Sequence, residues 1–321
     1  MSPHSDKVCY SAVMMGTRIE LHLSEHRPEL ATEVFRRIKY MEDLLTVNRP
    51  QSQLMSVNQA AGKHPVRVSA PVFTLIARAH RASLEGGCFN LAIGPLVRCW
   101  KIGFSGDRVP QAEALAALLP LTDPRAIVLN AADCSVFLTR AGMSVDAGAI
   151  AKGYMADLIC DYLASQSVTR AMINLGGNIR VMTPAGESGW KVGLQRPFGR
   201  SDQLLGVITT DNSSVVTSGV YERYFVAQGK HYHHILDPRS GYPLDNDLLS
   251  VTVISPLSID GEILSTQLYG MGLERGCLWL TTRPDIDAIF VTRDRQVVVP
   301  AQRRFSLQRL PWPEGITPAQ G

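Results

Sequence analysis

Glu262, Ser265 and Thr266 lie in GEILSTQLYGMG (261–272) and, if that segment is helical, share one face at i, i+3 and i+4. A carboxylate beside hydroxyls offers hard oxygen ligands, which suit Mg2+, a cation that completes its shell with waters and substrate phosphates. The same residues would also serve as an ordinary polar first turn, with Glu near the positive end of the helix dipole. His234 and Asp237, in HHILDPRSGYP (233–243), flank the exit of a hairpin. A histidine there could act as a general base, while Asp237–Pro238 with Gly241 is equally good turn chemistry.

A third stretch, residues 144–178, sets Asp146 before a run of small residues, Ala147, Gly148 and Ala149. A helical pattern follows, with Ile150, Tyr154, Leu158 and Tyr162 recurring every four residues. A helix that starts on a segment nearly bare of side chains presents free N–H groups and the positive end of its dipole, both of which favour an anion. Gly153 inside the helix costs ~1 kcal/mol relative to alanine, which implies a close approach to its backbone, with Lys152 as a positive charge nearby. Helix–sheet packing through small residues accounts for the glycine alone. Taken with the Gly176–Gly177 kink in the strand that follows, the pattern favours a phosphate-bearing ligand.

Regular elements must hold these stretches. Alternation in TRIELHL marks an opening strand pair over 8–23. Pro28 starts a helix with Leu30, Val34, Ile38, Met41 and Leu45 on one face, broken at Asn48–Pro50. A second helix, capped by Ser69 with Pro71 in its first turn, ends at Gly86–Gly87. CFNLAIGPLVRCW (88–100) carries Asn90 and Gly94–Pro95 and reads as a loop beside a site rather than a central strand. A short helix over 107–120 and strands at 126–130 and 134–139 lead to the 144–178 stretch. Beyond it, 189–197 and 204–210 alternate as strands, 218–243 forms a hairpin about Gly229, and 250–255 is a strand. Asp260–Gly261 open a helix, and two late strands, DAIFVT and QVVVP, precede a proline-rich tail from Pro311.

Strands and helices mix without regular βαβ alternation, and no G-x-G-x-x-G follows a first strand. The fold class is therefore α+β, with mixed sheets and packed helices, and not Rossmann. No repeat or low-complexity linker divides the chain, which reads as one domain over 8–310 between a flexible N-terminus (1–7) and a loosely held tail (311–321). At 321 residues, 45% of them hydrophobic, the chain can bury a full core. A net charge of +3 gives no electrostatic case for nucleic acid or a membrane surface. The 6 cysteines lack C-x-x-C spacing and fit reduced thiols better than a disulfide frame or a zinc site. MSPHSDKVCYSAVMMGT lacks an apolar leader core and a cleavage site, and Cys9 follows polar Ser5, Asp6 and Lys7. No run approaches the roughly 18 apolar residues of a membrane span. The expected address is cytoplasmic, with no membrane anchor.

Eight segments, taken in order, resemble the FAD:protein FMN transferases, or ApbE-like flavin transferases. They are MGT (15–17), RPQSQLMSVN (49–58), FNLAIGPLVRCW (89–100), VDAGAIAKGYMAD (145–157), NLGGN (174–178), SGVYERYF (218–225), HHILDPRSGYP (233–243) and EILSTQLYGMG (262–272). Each is weak alone; the series is specific. The resemblance implies an ApbE-like, T-fold-related architecture and an enzyme that binds FAD and Mg2+. Such an enzyme transfers the FMN moiety to a Thr or Ser hydroxyl of an acceptor flavoprotein and releases AMP. It implies a flavin contact at Met15, an FAD-holding loop at Cys88, Phe89 and Asn90, and ligand contacts at Asp146, Lys152 and Leu236. His234 matches the base and touches the ligand, and Asp237 joins it as a candidate catalytic residue. The cation would be held by the Ala149 carbonyl and by the side chains of Glu262, Ser265 and Thr266.

Three positions depart from the family's pattern. Asn48 stands where members commonly carry an aromatic against the cofactor, which removes a stacking surface. Asn90 stands where Asp is usual in the FAD-holding loop. Glu262 stands where the cation ligand is usually Asp, one methylene longer but still a hard oxygen donor. No S/T-G-A-T-like acceptor sequence occurs in the chain, so the acceptor is expected to be another protein. Two other activities compete with transfer: an FAD pyrophosphatase giving FMN and AMP, and a flavin-binding carrier without turnover.

Overall fold

Val251 and Val253 alternate with Ile254, and Ala288 and Phe290 with Ile289 and Val291, along two neighbouring strands in which all seven side chains are buried. The first set enters a core beneath helices, the second a core shared with a small sheet on the opposite face. Strands covered on both faces read as unbroken apolar runs, as SVTVIS and DAIFVT do. Both belong to an eight-stranded sheet in the computed structural model, which describes residues 8–200 and 202–312.

The strands of that sheet are β1 (Val8–Met14), β2 (Thr17–Leu23), β3 (Ala171–Leu175), β4 (Ile179–Met182), β5 (Ser214–Gly219), β6 (Leu248–Ser255), β7 (Asp287–Thr292) and β8 (Val297–Val298). They lie side by side in chain order, and each neighbouring pair is antiparallel. The small covering sheet joins Trp190–Gln195, Leu204–Thr210 and Phe305–Arg309. The helices are α1 (Pro28–Leu45), α2 (Gln53–Gln59), α3 (Ala70–Leu84), α4 (Gly94–Trp100), α5 (Ala112–Leu118), α6 (Ala151–Ser165), α7 (Ser258–Met271) and α8 (Leu273–Thr281). Helix α1 buries Leu30, Val34, Ile38, Met41 and Leu45, in one core with Ile19, Leu21 and Leu23 of β2. The architecture is α+β, with no parallel doubly wound sheet among the described residues. Among the described residues no helix is long and apolar enough to cross a membrane.

Several local expectations change. Residues 88–100 are not a loop throughout: Asn90 caps a 3-10 turn at Leu91–Ile93 that runs into α4. Pro95 sits in the first turn of α4, where its missing N–H costs nothing. Helix α7 begins at Ser258 rather than at Asp260–Gly261. Asp157 of α6 accepts the N–H groups of Ser258 at 2.8 Å and Ile259 at 2.9 Å, a cap supplied by another helix. On α6 itself Ile150 and Tyr154 are buried, but Leu158 and Tyr162 are only partly covered. The helix packs on α1, α7 and the sheet together, so Met155, Ile159 and Leu163 are buried as well and the apolar surface is wider than one stripe. The strand Phe305–Arg309 and the pairing of Val66–Arg67 with Ser135–Leu138 were not foreseen. Trp312, in the tail expected to be loose from Pro311, lies 5.8 Å from the Arg196 guanidinium and 5.5 Å from that of Arg295. The terminal segments 1–7 and 313–321 lie outside the described residues.

Candidate active site

Helices α6 and α7 meet at Gly153. A Cβ built there would collide with the Ser258 carbonyl oxygen and lie 2.7 Å from Glu262 Cγ. The close approach expected at this glycine is therefore made by α7, and not by a ligand phosphate. Gly153→Ala is expected to destabilise the chain by about 1–3 kcal/mol, the cost of overpacking, although alanine is the better helix former by ~1 kcal/mol. Urea unfolding reads the sign, and net stabilisation would show that the two helices can part there without cost.

Glu262 is 8% exposed. Its Oε1 accepts from Asn178 Nδ2 at 2.7 Å, and the carboxylate also takes the Gly153 N–H and faces the Lys152 charge. Burial raises its proton affinity above the ordinary carboxylate range, and Lys152, Asn178 and the Gly153 N–H oppose that rise. The group that meets the start of α6 is thus the protein's own Glu262 carboxyl, whose ionised form the helix dipole favours. Ala149 lies in the exposed approach one turn earlier. Ser265 is fully buried, its Oγ 2.8 Å from Ser218 Oγ and donating to the Glu262 carbonyl at 3.2 Å. Thr266 stays partly open, with Oγ1 3.4 Å from Ser218 Oγ.

The donor set suits a hard divalent cation. A buried carboxylate and a partly open hydroxyl are both oxygen ligands, and a cation would offset the desolvation that Glu262 bears. Among the described residues no group of three or more His, Cys, Asp or Glu could hold a metal. An ion held by Glu262 would draw the rest of its shell from neutral oxygens, waters and substrate phosphates, a pattern that Mg2+ accepts.

His234 stands at the exit of the hairpin Tyr224–Ala227/Lys230–His233, which turns at Gln228–Gly229. Its backbone N–H and its Nδ1 both reach the Arg223 carbonyl, at 3.1 and 3.2 Å. A carbonyl only accepts, so Nδ1 carries the proton and Nε2 is the basic nitrogen. Burial, with charge repulsion from His233, Arg223 and Lys152, lowers the imidazole to about 4, so it is neutral at pH 7. Burial raises the Asp146 carboxyl, opposed by the Gly148 N–H and by the Arg98 and Arg223 charges; Gly148 N–H donates to Asp146 Oδ1 at 2.7 Å. Lys152 thus faces both Glu262 and His234, and Arg223 both His234 and Asp146. These residues lie within electrostatic reach of one another.

Other candidates sit differently. Asp237 Oδ1 accepts from the Arg239 N–H and Nε, each at 3.1 Å, and the Asp237 backbone closes the turn with Gly241 and Tyr242. Its carboxylate is engaged in turn chemistry. Leu236 is buried among Leu96, Trp100 and Leu115. Phe89 is buried, and Asn90 uses both ends of its amide within the protein: Oδ1 takes the Ala92 N–H and Nδ2 donates to the Thr122 carbonyl, each at 2.8 Å. Cys88 N–H donates to Gln267 Oε1 at 2.9 Å and Gln267 Nε2 to the Gly86 carbonyl at 2.8 Å, which ties this loop to α7. Beside the loop opens a cavity of about 590 Å³, lined by Phe89, Asn90, Arg125, Arg140 and Arg239 among others. It is large enough for a small-molecule ligand. Glu262 and His234 do not line it; Pro238 and Arg239, in the turn that follows His234, do. Met15 (φ 52°) occupies the β1–β2 turn, and neighbouring Thr17 touches Gly176, so that turn lies beside the Gly176–Gly177 kink. Asn48 is exposed past the end of α1, its N–H donating to Thr46 Oγ1 at 3.2 Å.

Residue-by-residue reading of the sequence passed over Asn178, Arg223, Ser218, Asp157 and Gln267. All five sit in segments quoted above for the family resemblance, and a polar residue such as Asn178 at the mouth of a strand is the available signal.

The fold defines an α+β protein with no dinucleotide-binding Rossmann unit among the described residues. More particularly, the chain belongs to the ApbE family, whose model matches residues 15–290. It is 55% identical over 300 residues to the FAD:protein FMN transferase of Klebsiella pneumoniae, covering 92% of this chain and 93% of that one. It is 36% identical to the FAD:protein FMN transferase of Treponema pallidum, over 89% of this chain and 84% of that one. Among solved structures, the ApbE protein from Thermotoga maritima superimposes with a TM-score of 0.82 at 27% identity, covering 92% of this chain and 97% of that one.

Proposed function

We propose that the chain transfers the FMN moiety of FAD to a Thr or Ser hydroxyl of a separate acceptor flavoprotein, with Mg2+, and releases AMP. The observation that carries this reading is the α6–α7 junction, where buried Glu262 packs on Gly153 and accepts from Asn178 and where the Lys152 charge acts on both Glu262 and His234. In the reaction the acceptor oxygen bonds to the phosphorus on the flavin side of the pyrophosphate. The bond from that phosphorus to the bridging oxygen breaks, and AMP leaves with the electron pair. His234 Nε2 takes the hydroxyl proton, since Nδ1 is committed to the Arg223 carbonyl. Lys152 and Arg223 hold the negative oxygens in place, and positioning with charge neutralisation is most of what phosphoryl transfer asks of a protein.

Glu262, Thr266 and the Ala149 carbonyl would hold the Mg2+; Ser265, turned toward Ser218, is the least available of the proposed ligands. Bound there, the ion supplies charge neutralisation at the pyrophosphate. Cys88, Phe89 and Asn90 shape the cavity side of the FAD site, Asp146 the entrance to α6, and Met15, Asn48 and Leu236 the remaining flavin contacts. Asp237 holds the turn after His234 and acts on catalysis through that turn. A cytoplasmic address belongs to the same reading and is supported by six free cysteines, a pattern suited to a reducing compartment.

The test is incubation with FAD, Mg2+ and a purified flavoprotein that carries the target Thr. Covalent flavin fluorescence on the acceptor, with AMP in equal amount, is the expected result. Free FMN over an unlabelled acceptor would make the chain a pyrophosphatase, and intact FAD would make it a carrier.

A further inference from the structure

We propose that Asn178 is a positioning residue that presents Glu262 to the divalent cation through a one-way hydrogen-bond relay beginning at Ser214. This rests on the reading that Glu262 holds Mg2+. Ser214 Oγ donates to Ser258 Oγ at 3.1 Å, Ser258 Oγ donates to Asn178 Oδ1 at 2.7 Å, and Asn178 Nδ2 donates to Glu262 Oε1 at 2.7 Å. Ser214 and Ser258 are fully buried and Asn178 is 2% exposed, so water does not replace these bonds.

The relay fixes an orientation that shape alone leaves open. An amide has nearly the same outline after a half-turn, but a flipped Asn178 would aim its carbonyl at the Glu262 carboxylate. Ser258 excludes the flip. Its proton goes to Asn178 Oδ1 while its oxygen accepts from Ser214, so a flip would take away the acceptor of that proton at the same time as the donor that faces Glu262. The relay therefore commits Oε1 of Glu262 to Asn178 and leaves the carboxylate's other lone pairs to the Gly153 N–H and a cation. A neutral donor adds no further positive charge beside Lys152, which already acts on this carboxylate. The Gly176–Gly177 kink gains a purpose in this arrangement. Both glycines are at positive φ, 65° and 95°, Asn174 Oδ1 takes the Gly177 N–H at 2.9 Å, and the Leu175 N–H donates to the Asn178 carbonyl at 2.8 Å. The turn delivers Asn178 to the α6–α7 junction.

Calorimetric titration of Mg2+ into the metal-free chain, saturated with FAD and without acceptor, tests the relay. Asn178→Ala is expected to weaken Mg2+ binding by about 10- to 100-fold, the usual loss when a partner of a metal ligand is removed. FAD binding without Mg2+ should stay within about twofold, since Asn178 does not line the cavity. Ser258→Ala should weaken Mg2+ by a smaller factor, and the double variant should be no weaker than Asn178→Ala, because the two act as one unit. A merely structural role would lower both affinities and the melting temperature together, which would overturn the proposal. Should Asn178→Ala fail to fold, Ser258→Ala reads the same relay without touching Glu262. Parent-level Mg2+ affinity in the variants would overturn the relay and leave the Mg2+ reading intact, whereas a parent chain that binds no Mg2+ would overturn both.

Discussion

Replacing Glu262 with alanine is expected to reduce flavin transfer on the order of 10³-fold, because metal-based charge stabilisation is worth several kcal/mol and each 1.36 kcal/mol is tenfold in rate. The residue is the one carboxylate among the proposed ligands, so no neighbour can take its place. The fold should survive. Glu262→Ala removes a buried charge as well as the acceptor for Asn178 Nδ2 and the Gly153 N–H, and these costs offset. Glu262→Gln sharpens the comparison, since it keeps an acceptor for Asn178 while discarding the charge. It should be nearly as inactive, with weaker Mg2+ dependence and near-parental melting. Acceptor fluorescence against time measures all three proteins, and full activity in Glu262→Ala would refute the cation assignment.

His234→Ala is expected to slow transfer by about 10²–10⁴-fold, the usual contribution of a positioned base, with FAD binding changed far less. The pH dependence follows from the direction of the shift. The imidazole is lowered to about 4, so its neutral, basic form persists at pH 6–8 and is lost only as pH falls through the region of 4. The parent's rate should therefore show no acid limb near 6.5 that His234→Ala abolishes. Such a limb would mean that the imidazole is not held neutral. The same depression, shared by His233 at about 4, acts on stability. Between the ordinary histidine value near 6.5 and about 4, the unfolded chain binds protons that the folded chain refuses, so stability falls as pH falls through that window.

The sequence revealed what is local. The spacing of Leu30, Val34, Ile38, Met41 and Leu45 marked α1 because a helix with one buried face repeats every three to four residues. SVTVIS and DAIFVT read as strands because both faces are covered. Glu262, Ser265 and Thr266 were found as a helical face, and their spacing needed no knowledge of the rest of the chain. What escaped were pairings between distant segments: Asn178 with Glu262, 84 residues apart, and Gln267 with Cys88, 179 apart. The start of α7 was misplaced because its cap comes from Asp157 on another helix. Gly153 was assigned to a ligand because a glycine signals only that something comes close, and α7 is what comes close. Asn90 drew attention as a departure in the FAD-holding loop, yet both ends of its amide bond to the protein.

The most direct test of the whole account is a crystal structure of the chain with FAD and Mg2+ bound. The account predicts an ion between Glu262 and the Ala149 carbonyl, in contact with a pyrophosphate that lies beside Lys152 and within reach of His234 Nε2. An ion bound elsewhere, or a pyrophosphate remote from the start of α6, would contradict it.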